Sequence, residues 1–214
     1  MKKFLTTKSS VVAAGMLLSS LAWANDSALN DFLARLDQLQ NLQTEFTQTT
    51  RDARGNSLQK LEGQMIVAKP GKMRWQTKPP YEQLVISDGQ SVWIYDVDLE
   101  QVTIRPMEQR IAETPALLLS GDTKEISKNF TLEESKNGSI IRFSLFPKDK
   151  SQLFEKIEFQ YAENSLESMR ILDAAGQATD IFFNDVSENQ KLDDQLFKFT
   201  VPEGVDVIDG RNAH

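Results

Sequence analysis

The 214-residue sequence contains no cysteine and a single histidine, which is the final residue, His214. The missing cysteines exclude disulfide bonds, thiolate metal ligands and a cysteine nucleophile. A Ser-His pair or a histidine-ligated metal would have to be built on a chain end, where order is least common. The sequence also lacks a glycine-rich phosphate-binding loop. These absences predict that the protein is not an enzyme and holds neither a cofactor nor a metal ion.

Positive charge is scarce as well. The chain has 24 lysines and arginines against 31 acidic residues, a formal net charge of −7. Lys2, Lys3 and Lys8 all lie within the first 24 residues, so the rest of the chain has 21 basic residues against 31 acidic ones, a charge of −10. Such a surface repels nucleic acids and anionic lipid headgroups. We therefore expect no binding to nucleic acid.

The N-terminal segment resembles an export signal. Its lysines precede an apolar stretch, residues 11–21, and Ala22-Trp23-Ala24 has the small-x-small pattern that signal peptidase cleaves. The apolar stretch is too short for a typical membrane helix. We predict a cleaved signal peptide at residues 1–24 and a single domain at residues 25–214. With no cysteine available for lipid attachment, the mature chain is expected to be a soluble periplasmic monomer.

Helical spacing appears at two places. Behind Asp26 and Ser27, either of which is suited to cap a helix, apolar residues recur from Leu29 to Leu39 and predict a helix of about fourteen residues. Residues 113–121, "ETPALLLSG", place a capping threonine, a first-turn proline and a terminal glycine in the order of a short helix. A weaker helical turn is predicted over residues 123–128.

From Leu42 onward the apolar pattern has period two, and turn residues recur about every ten positions, which predicts antiparallel strands. Two-residue turns at Asn137-Gly138 and Asp88-Gly89 would fix which side chains share a face. The first predicts the pairs Ile141–Glu134, Phe143–Leu132 and Leu145–Phe130 on an apolar face. The second predicts Trp93 opposite Leu84 on one face and Val92 opposite Val85 on the other, with the second face covered by residues 197–208.

The corner Lys69-Pro70-Gly71-Lys72 has the proline and glycine of a turn. Treated as a two-residue turn, it predicts Ala68 opposite Met73 and Ile66 opposite Trp75 on the inward face. The outward face would then hold Val67, Lys69, Lys72 and Arg74. A sheet with one continuous apolar face and only some thirty helical residues has two ways to hide that face: it closes into a barrel, or it curls and takes the helices as a lid.

Four segments resemble the LolA family of periplasmic outer-membrane lipoprotein carriers, in register over nearly the whole mature chain. They are "TEFTQTTRD" from Thr44, "LVISDGQSVWIYDVDLEQVTIRP" from Leu84, "ETPALLLSG" from Glu113 and "LFKFTVPEGVDVID" from Leu196. The resemblance implies a mainly β fold, an unclosed antiparallel half-barrel. Its concave apolar face would be covered by an N-terminal helix and short mid-chain helices.

The resemblance also implies a site. The acyl chains of cargo would contact a cavity formed by Leu33, Leu36, Met73, Trp75, Leu84, Trp93, Leu117 and Leu118. In this family an arginine directly before the proline of the corner is thought to hold the lid by hydrogen bonds to the helices. Lys69 occupies that position here and is our expected latch, with Arg74 as the alternative, because lysine lacks the planar fork of arginine.

The implied function is that of a chaperone without enzymatic activity. It accepts lipoproteins from an inner-membrane ABC-type releasing complex, shields their acyl chains and delivers them to an outer-membrane lipoprotein receptor. The alternative is a periplasmic regulatory domain of the same half-barrel fold that senses lipids. Such regulators usually carry a second domain, for which residues 25–214 leave no room.

Overall fold

The computed structural model describes residues 20–107 and 115–211, with side chains described from Ser27. The first 19 residues of the predicted signal peptide, the predicted capping Thr114 and His214 lie outside these ranges. The described elements, in chain order, are α1 (Ser20–Gln38), β1 (Asn41–Arg51), β2 (Ser57–Ala68), β3 (Lys72–Thr77), β4 (Gln83–Asp88), β5 (Ser91–Asp96), β6 (Gln101–Pro106), a 3₁₀ helix (Pro115–Leu119), α2 (Thr123–Asn129), β7 (Phe130–Asn137), β8 (Ile140–Pro147), β9 (Phe154–Ala162), β10 (Ser165–Asp173), β11 (Ala178–Glu188), a second 3₁₀ helix (Asp194–Phe197) and β12 (Asp206–Asp209).

The strands form one open twelve-stranded sheet in the order β12-β6-β5-β4-β3-β2-β1-β11-β10-β9-β8-β7. Its neighbours pair antiparallel except for β12, which runs parallel to β6. The chain crosses the sheet between β6 and β7, and the 3₁₀ helix Pro115–Leu119 and α2 lie in that connection. The predicted unclosed half-barrel is therefore confirmed, and the closed-barrel alternative is not adopted.

The helices differ in detail from the prediction. Residues 20–26 are already helical within α1 (Ser20–Gln38), so the prediction that Asp26 or Ser27 caps the helix is wrong for this chain. Residues 20–25, which precede Asp26, include leucine and alanine, which are strong helix formers, and contain no proline or glycine. The mid-chain segment forms a 3₁₀ helix, and the weaker turn predicted after it is helix α2, capped by Asp122.

One face of the sheet packs against α1 and the 3₁₀ helix Pro115–Leu119, and we call it the inner face. Phe32 of α1 is fully buried there, with its ring centroid 5.1 Å from that of Phe143 and 5.5 Å from that of Phe159. Leu117 and Leu119 of the 3₁₀ helix are equally inaccessible and join the same cluster of buried side chains. The helices thus act as the lid that the apolar sheet requires.

Gly63 on β2 marks a close approach within this core. A Cβ at this position would collide with the carbonyl oxygen of Gln76 and lie 2.5 Å from the ring of Phe46. The missing side chain lets Phe46 stack on Trp75 with ring centroids 3.9 Å apart. This aromatic pair fills the centre of the inner face.

The predicted hairpin registers are wrong by two residues at the two Asx-Gly turns, but side chains predicted to share a face still share one. Glu134 pairs with Phe143 and Leu132 with Leu145, because the loop residues are Gly138 and Ser139. Glycine is therefore first in the loop and not second, as the prediction assumed. Its φ of +60° suits this first position.

The β4–β5 hairpin deviates in the same way, with the loop at Gly89 and Gln90 and Ile86 paired with Trp93. Here Gly89 has φ +94°. The Asp88 carboxylate accepts hydrogen bonds from the backbone N–H groups of Gln90, at 2.8 Å, and Ser91, at 2.9 Å. Asp88 therefore ends the strand and does not belong to the loop.

The register at the β2–β3 corner is wrong by one residue. Ala68 pairs with Lys72, so three residues, Lys69 to Gly71, form the connection. A shift of one residue moves side chains to the opposite face. Val67, predicted to point outward, is therefore buried opposite Met73, and the predicted inward positions of Ala68 and Ile66 are wrong.

Candidate functional site: the covered inner face

Six of the eight predicted cavity residues lie together. Four of them are buried in the hydrophobic core between the lid and the sheet. Leu33 and Trp75 are partly buried and pack against this core, and Trp75 also stacks on Phe46. The six residues are Leu33, Leu36, Met73, Trp75, Leu117 and Leu118. They come from α1, β3 and the 3₁₀ helix, so the lid and the sheet contribute to one continuous apolar surface.

The prediction that Leu84 and Trp93 face the cavity is wrong. Trp75 pairs with Val85, and Val85 pairs with Ile94, so these three share the inner face. Side chains alternate along each strand, so Leu84 and Trp93 lie on the opposite, outer face. Both strands are apolar on both sides, and periodicity alone does not distinguish the faces.

The C-terminal segment covers the outer face of the β4–β5 hairpin. The sequence had predicted that this segment covers the opposite face, which holds Val85 and Val92. The Tyr95 ring lies 6.0 Å from that of Phe199. The Lys72 ammonium contacts the Asp194 carboxylate at 2.8 Å and lies 5.8 Å from the ring centroid of Phe197. Here the ammonium holds the pKa of Asp194 below its ordinary value, through the hydrogen bond first and the charge second.

Lys69 contacts the lid directly. Its Nζ donates a 2.5 Å hydrogen bond to the carbonyl oxygen of Leu36, in the last turn of α1, and lies 3.9 Å from the Asp37 carboxylate. The last carbonyls of a helix have no partner within the helix, and their partial negative charge favours a cation. Only 19% of the Lys69 side chain is exposed, so the contact is largely shielded from water.

Arg74, the alternative latch, does not reach the lid. It lies on the outer face, where its Nη2 donates to the side-chain oxygen of Gln76 at 3.2 Å. Side chains alternate along β3, so Arg74 points outward because its neighbours Met73 and Trp75 lie on the inner face. Of the two bases, only Lys69 occupies the position that a latch requires.

The same corner holds the second lid element through its backbone. The Gly71 N–H donates to the Ser120 carbonyl at 2.8 Å, at the end of the 3₁₀ helix Pro115–Leu119. The Gly71 carbonyl accepts from the buried Ser87 hydroxyl, also at 2.8 Å. Gly71 has φ +65°, and a Cβ there would lie 2.7 Å from Met107. The residues from Lys69 to Gly71 therefore join α1, the 3₁₀ helix and β4.

A mostly apolar cavity of about 370 Å³ remains beside the closed lid. It lies between the β4–β5 turn, the 3₁₀ helix Pro115–Leu119 and α2, and its wall includes Met107, Leu118, Ile126 and Phe130. Ligand pockets for small molecules have volumes of about 300–1,000 Å³. The inner face is thus mostly filled by the lid itself, and this cavity forms an apolar opening at its margin.

Charged and polar side chains also lie beside the C-terminal half of α1, around Arg35. Burial raises the pKa of Tyr161 above its usual range, although the nearby Arg35 opposes this shift. Desolvation also raises the pKa of Glu188. In residues 20–107 and 115–211, no group of three or more metal-ligating side chains lies close enough to hold an ion. No helix in the same ranges has the length and apolar character needed to cross a membrane.

Sequence reasoning missed Arg35, Ser87 and Ser120. Arg35 lies three residues after Phe32, at the edge of the apolar stripe of α1, and this spacing was an available indication that it contacts the sheet. Ser87 and Ser120 act through contacts between distant segments, and no local pattern marks them.

These features define a class: open β-sheet proteins whose apolar inner face is closed by a helical lid. The sequence profile of the family described as "Outer membrane lipoprotein carrier protein LolA" matches residues 37–200. The chain belongs to the LolA family.

Individual relatives agree with this assignment. The chain is similar to the outer-membrane lipoprotein carrier protein of Pseudomonas aeruginosa (strain UCBPP-PA14), with 44% identity over 92% of this chain and 95% of that protein. The protein of the same name from Azotobacter vinelandii is 41% identical over 90% of this chain and 96% of the other. An uncharacterized conserved protein from Thermus thermophilus has a TM-score of 0.51 at 16% identity, over 84% of this chain and 98% of that one, and shares the fold alone.

Proposed function

We propose that this protein is a periplasmic chaperone that binds the acyl chains of lipoproteins released from the inner membrane and delivers them to an outer-membrane receptor. The observation that carries the proposal is the apolar inner face under a lid whose helix α1 accepts a hydrogen bond from Lys69. Residues 1–24 serve as the cleaved export signal, and residues 25–214 act as one monomeric domain. An ABC-type complex of the inner membrane supplies the cargo.

The energetics suit reversible binding. Phe32, Leu36, Leu117 and Leu118 of the lid are all at most 2% exposed. Burying four such side chains is worth roughly 6–12 kcal/mol at about 1.5–3 kcal/mol each. An acyl chain of about fifteen methylenes gains on the order of 12 kcal/mol from burial. Because the two quantities are similar, the lid competes with the cargo for one surface and makes its release possible.

Loading then follows a physical order. An acyl chain meets the apolar cavity beside Met107 and Leu118 first, because that part of the inner face is open while the lid is closed. Further insertion displaces α1 and the 3₁₀ helix Pro115–Leu119 and breaks the contact between Lys69 and Leu36. When the cargo leaves, the lid side chains return to the inner face and the latch forms again.

The test is a binding measurement with a synthetic lipopeptide that carries an acylated N-terminal cysteine. In detergent-free buffer, the acylated peptide should co-elute with the protein in size-exclusion chromatography. The same peptide without acyl chains should elute separately. Co-elution of both peptides, or of neither, would contradict the proposal.

A further inference from the structure

Arg35 of α1 makes a second set of contacts between the lid and the sheet. Its Nη1 donates to the Glu163 carbonyl at 3.1 Å and to the side-chain oxygen of Asn164 at 3.3 Å, both in the β9–β10 turn. Its guanidinium lies 5.2 Å from the ring centroid of Tyr161 and 5.8 Å from that of Phe143. Arginine is suited to this place because it combines a planar hydrogen-bonding fork with stacking on aromatic rings.

Arg35 and Lys69 hold α1 to different parts of the sheet. Lys69 precedes β3, whereas Arg35 contacts β8, β9 and the turn that leads into β10, and β2, β1 and β11 lie between these two regions. Helix α1 therefore bridges two regions of the open sheet.

Helix α1 makes more extensive contacts with β7–β10 than with the Lys69 side of the sheet. Phe32 packs between Phe143 and Phe159 there, and Asp31 lies 3.5 Å from the Lys136 ammonium of β7. On the opposite side, the polar contacts of α1 in the described part of the chain are those of Lys69 with Leu36 and Asp37. The lid is therefore held asymmetrically.

The C-terminal end of α1 is fixed by a third group. The side-chain amide of Asn189 donates to the Gln38 carbonyl at 3.1 Å, and its oxygen accepts from the Gln40 N–H at 2.7 Å. Asn41 and Gln190 exchange hydrogen bonds beside it, at 2.9 Å and 3.0 Å. This junction ties the end of α1 to the residues that follow β11.

We propose that Arg35 is a positioning residue that keeps α1 attached to β7–β10 when Lys69 releases, so that the lid opens only on the Lys69 side. The opening lies between α1 and the 3₁₀ helix Pro115–Leu119. This inference rests on the proposed function, because an acyl carrier needs a lid that opens. It adds the direction of opening and the residue that sets it.

The experiment measures two distances on the empty protein. The chain has no cysteine, so spin labels attach only at introduced cysteines. Asn30 on α1, Glu62 on β2 and Ser165 on β10 are all exposed. The pair Asn30→Cys with Glu62→Cys reports the Lys69 side, and the pair Asn30→Cys with Ser165→Cys reports the Arg35 side.

In the Lys69→Leu background, the first pair should gain a long-distance population while the second pair stays unchanged. Adding Arg35→Gln should raise the long-distance fraction of the second pair about tenfold, through loss of the stacking and the hydrogen bonds. Arg35→Lys should behave like Arg35→Gln because it lacks the fork, and Arg54→Gln, at an exposed turn position, should have no effect.

Movement of the second pair in Lys69→Leu alone would overturn the proposal, and so would an unchanged second pair after Arg35→Gln. Restoration by Arg35→Lys would also contradict the assigned role of the guanidinium. The distances require no cargo, so they decide the role of Arg35 separately. Failure of the lipopeptide to bind the wild-type protein would instead refute the proposed function.

Discussion

Replacing Lys69 with leucine should weaken delivery of cargo while leaving loading intact. The lost contact is the 2.5 Å hydrogen bond from Nζ to the Leu36 carbonyl, in a side chain that is 19% exposed. A hydrogen bond to a charged group is worth about 1.5–3 kcal/mol. A loss of about 2 kcal/mol shifts the equilibrium between the closed and open lid roughly 30-fold toward the open state.

The direction of the effect follows from the competition between lid and cargo. An open lid leaves the inner face free for an acyl chain, so uptake is not impaired. Closure of the lid then offsets the loss of acyl contacts by about 2 kcal/mol less when cargo leaves, so release becomes less favourable. The variant should therefore retain bound lipoprotein.

The assay follows a labelled lipoprotein from its complex with the carrier to vesicles that contain the outer-membrane receptor. Lys69→Leu should form the complex at wild-type yield and transfer much less of its cargo. Lys60→Leu is the matched control, because Lys60 is a lysine of the same sheet with 63% of its side chain exposed. Transfer by Lys69→Leu at the wild-type rate and extent would refute the latch.

Three further predictions test the faces, the core and the C-terminal segment. A bound acyl chain that carries a fluorescence quencher should quench Trp75 in a Trp93→Phe variant but leave Trp93 unquenched in a Trp75→Phe variant. Gly63→Ala should lower the free energy of unfolding in urea by about 1–3 kcal/mol, because the core there has no room for a methyl group. Asp194→Asn should loosen the C-terminal segment at neutral pH. The depressed pKa of Asp194 means that its contribution is present above the ordinary value of 3.8 and is lost as the pH falls below it.

Each of these tests has a control. The tryptophan experiment uses the chain without residues 1–24, which removes Trp23. Gly210→Ala should be nearly neutral, because a Cβ there meets its nearest neighbour at 3.4 Å. Hydrogen exchange of residues 194–199 measures the effect of Asp194→Asn, with the exposed Asp98→Asn as comparison. Equal quenching of both tryptophans, a neutral Gly63→Ala, or equal exchange at pH 7 would contradict the respective prediction.

The sharp change in periodicity was sufficient to predict a leucine-striped helix followed by antiparallel strands after Leu42, but it left a closed barrel and a lidded open sheet as alternatives. The resemblance to the LolA family selected the open sheet, and Met73 and Trp75 were correctly expected on the inner face. Burial patterns along a strand survive an error of two residues in pairing, because side chains alternate with a period of two. The apolar faces of β7 and β8 were therefore right although their partners were not.

The wrong predictions concern positions whose orientation depends on segments distant in the sequence or on the length of a loop. At the β2–β3 corner the loop has three residues, and the error of one residue reversed Val67. Leu84 and Trp93 were misplaced because both faces of β4 and β5 are apolar and a distant segment covers one of them. Arg35 depends on rings that follow it by more than a hundred residues, so only the assembled sheet shows its role.

Depletion of the protein from cells tests whether it carries lipoproteins between the two membranes. Inner and outer membranes are separated after depletion, and the distribution of outer-membrane lipoproteins between them is measured. These lipoproteins are expected to accumulate on the inner membrane. Lipoproteins that still reach the outer membrane in normal amounts would contradict it.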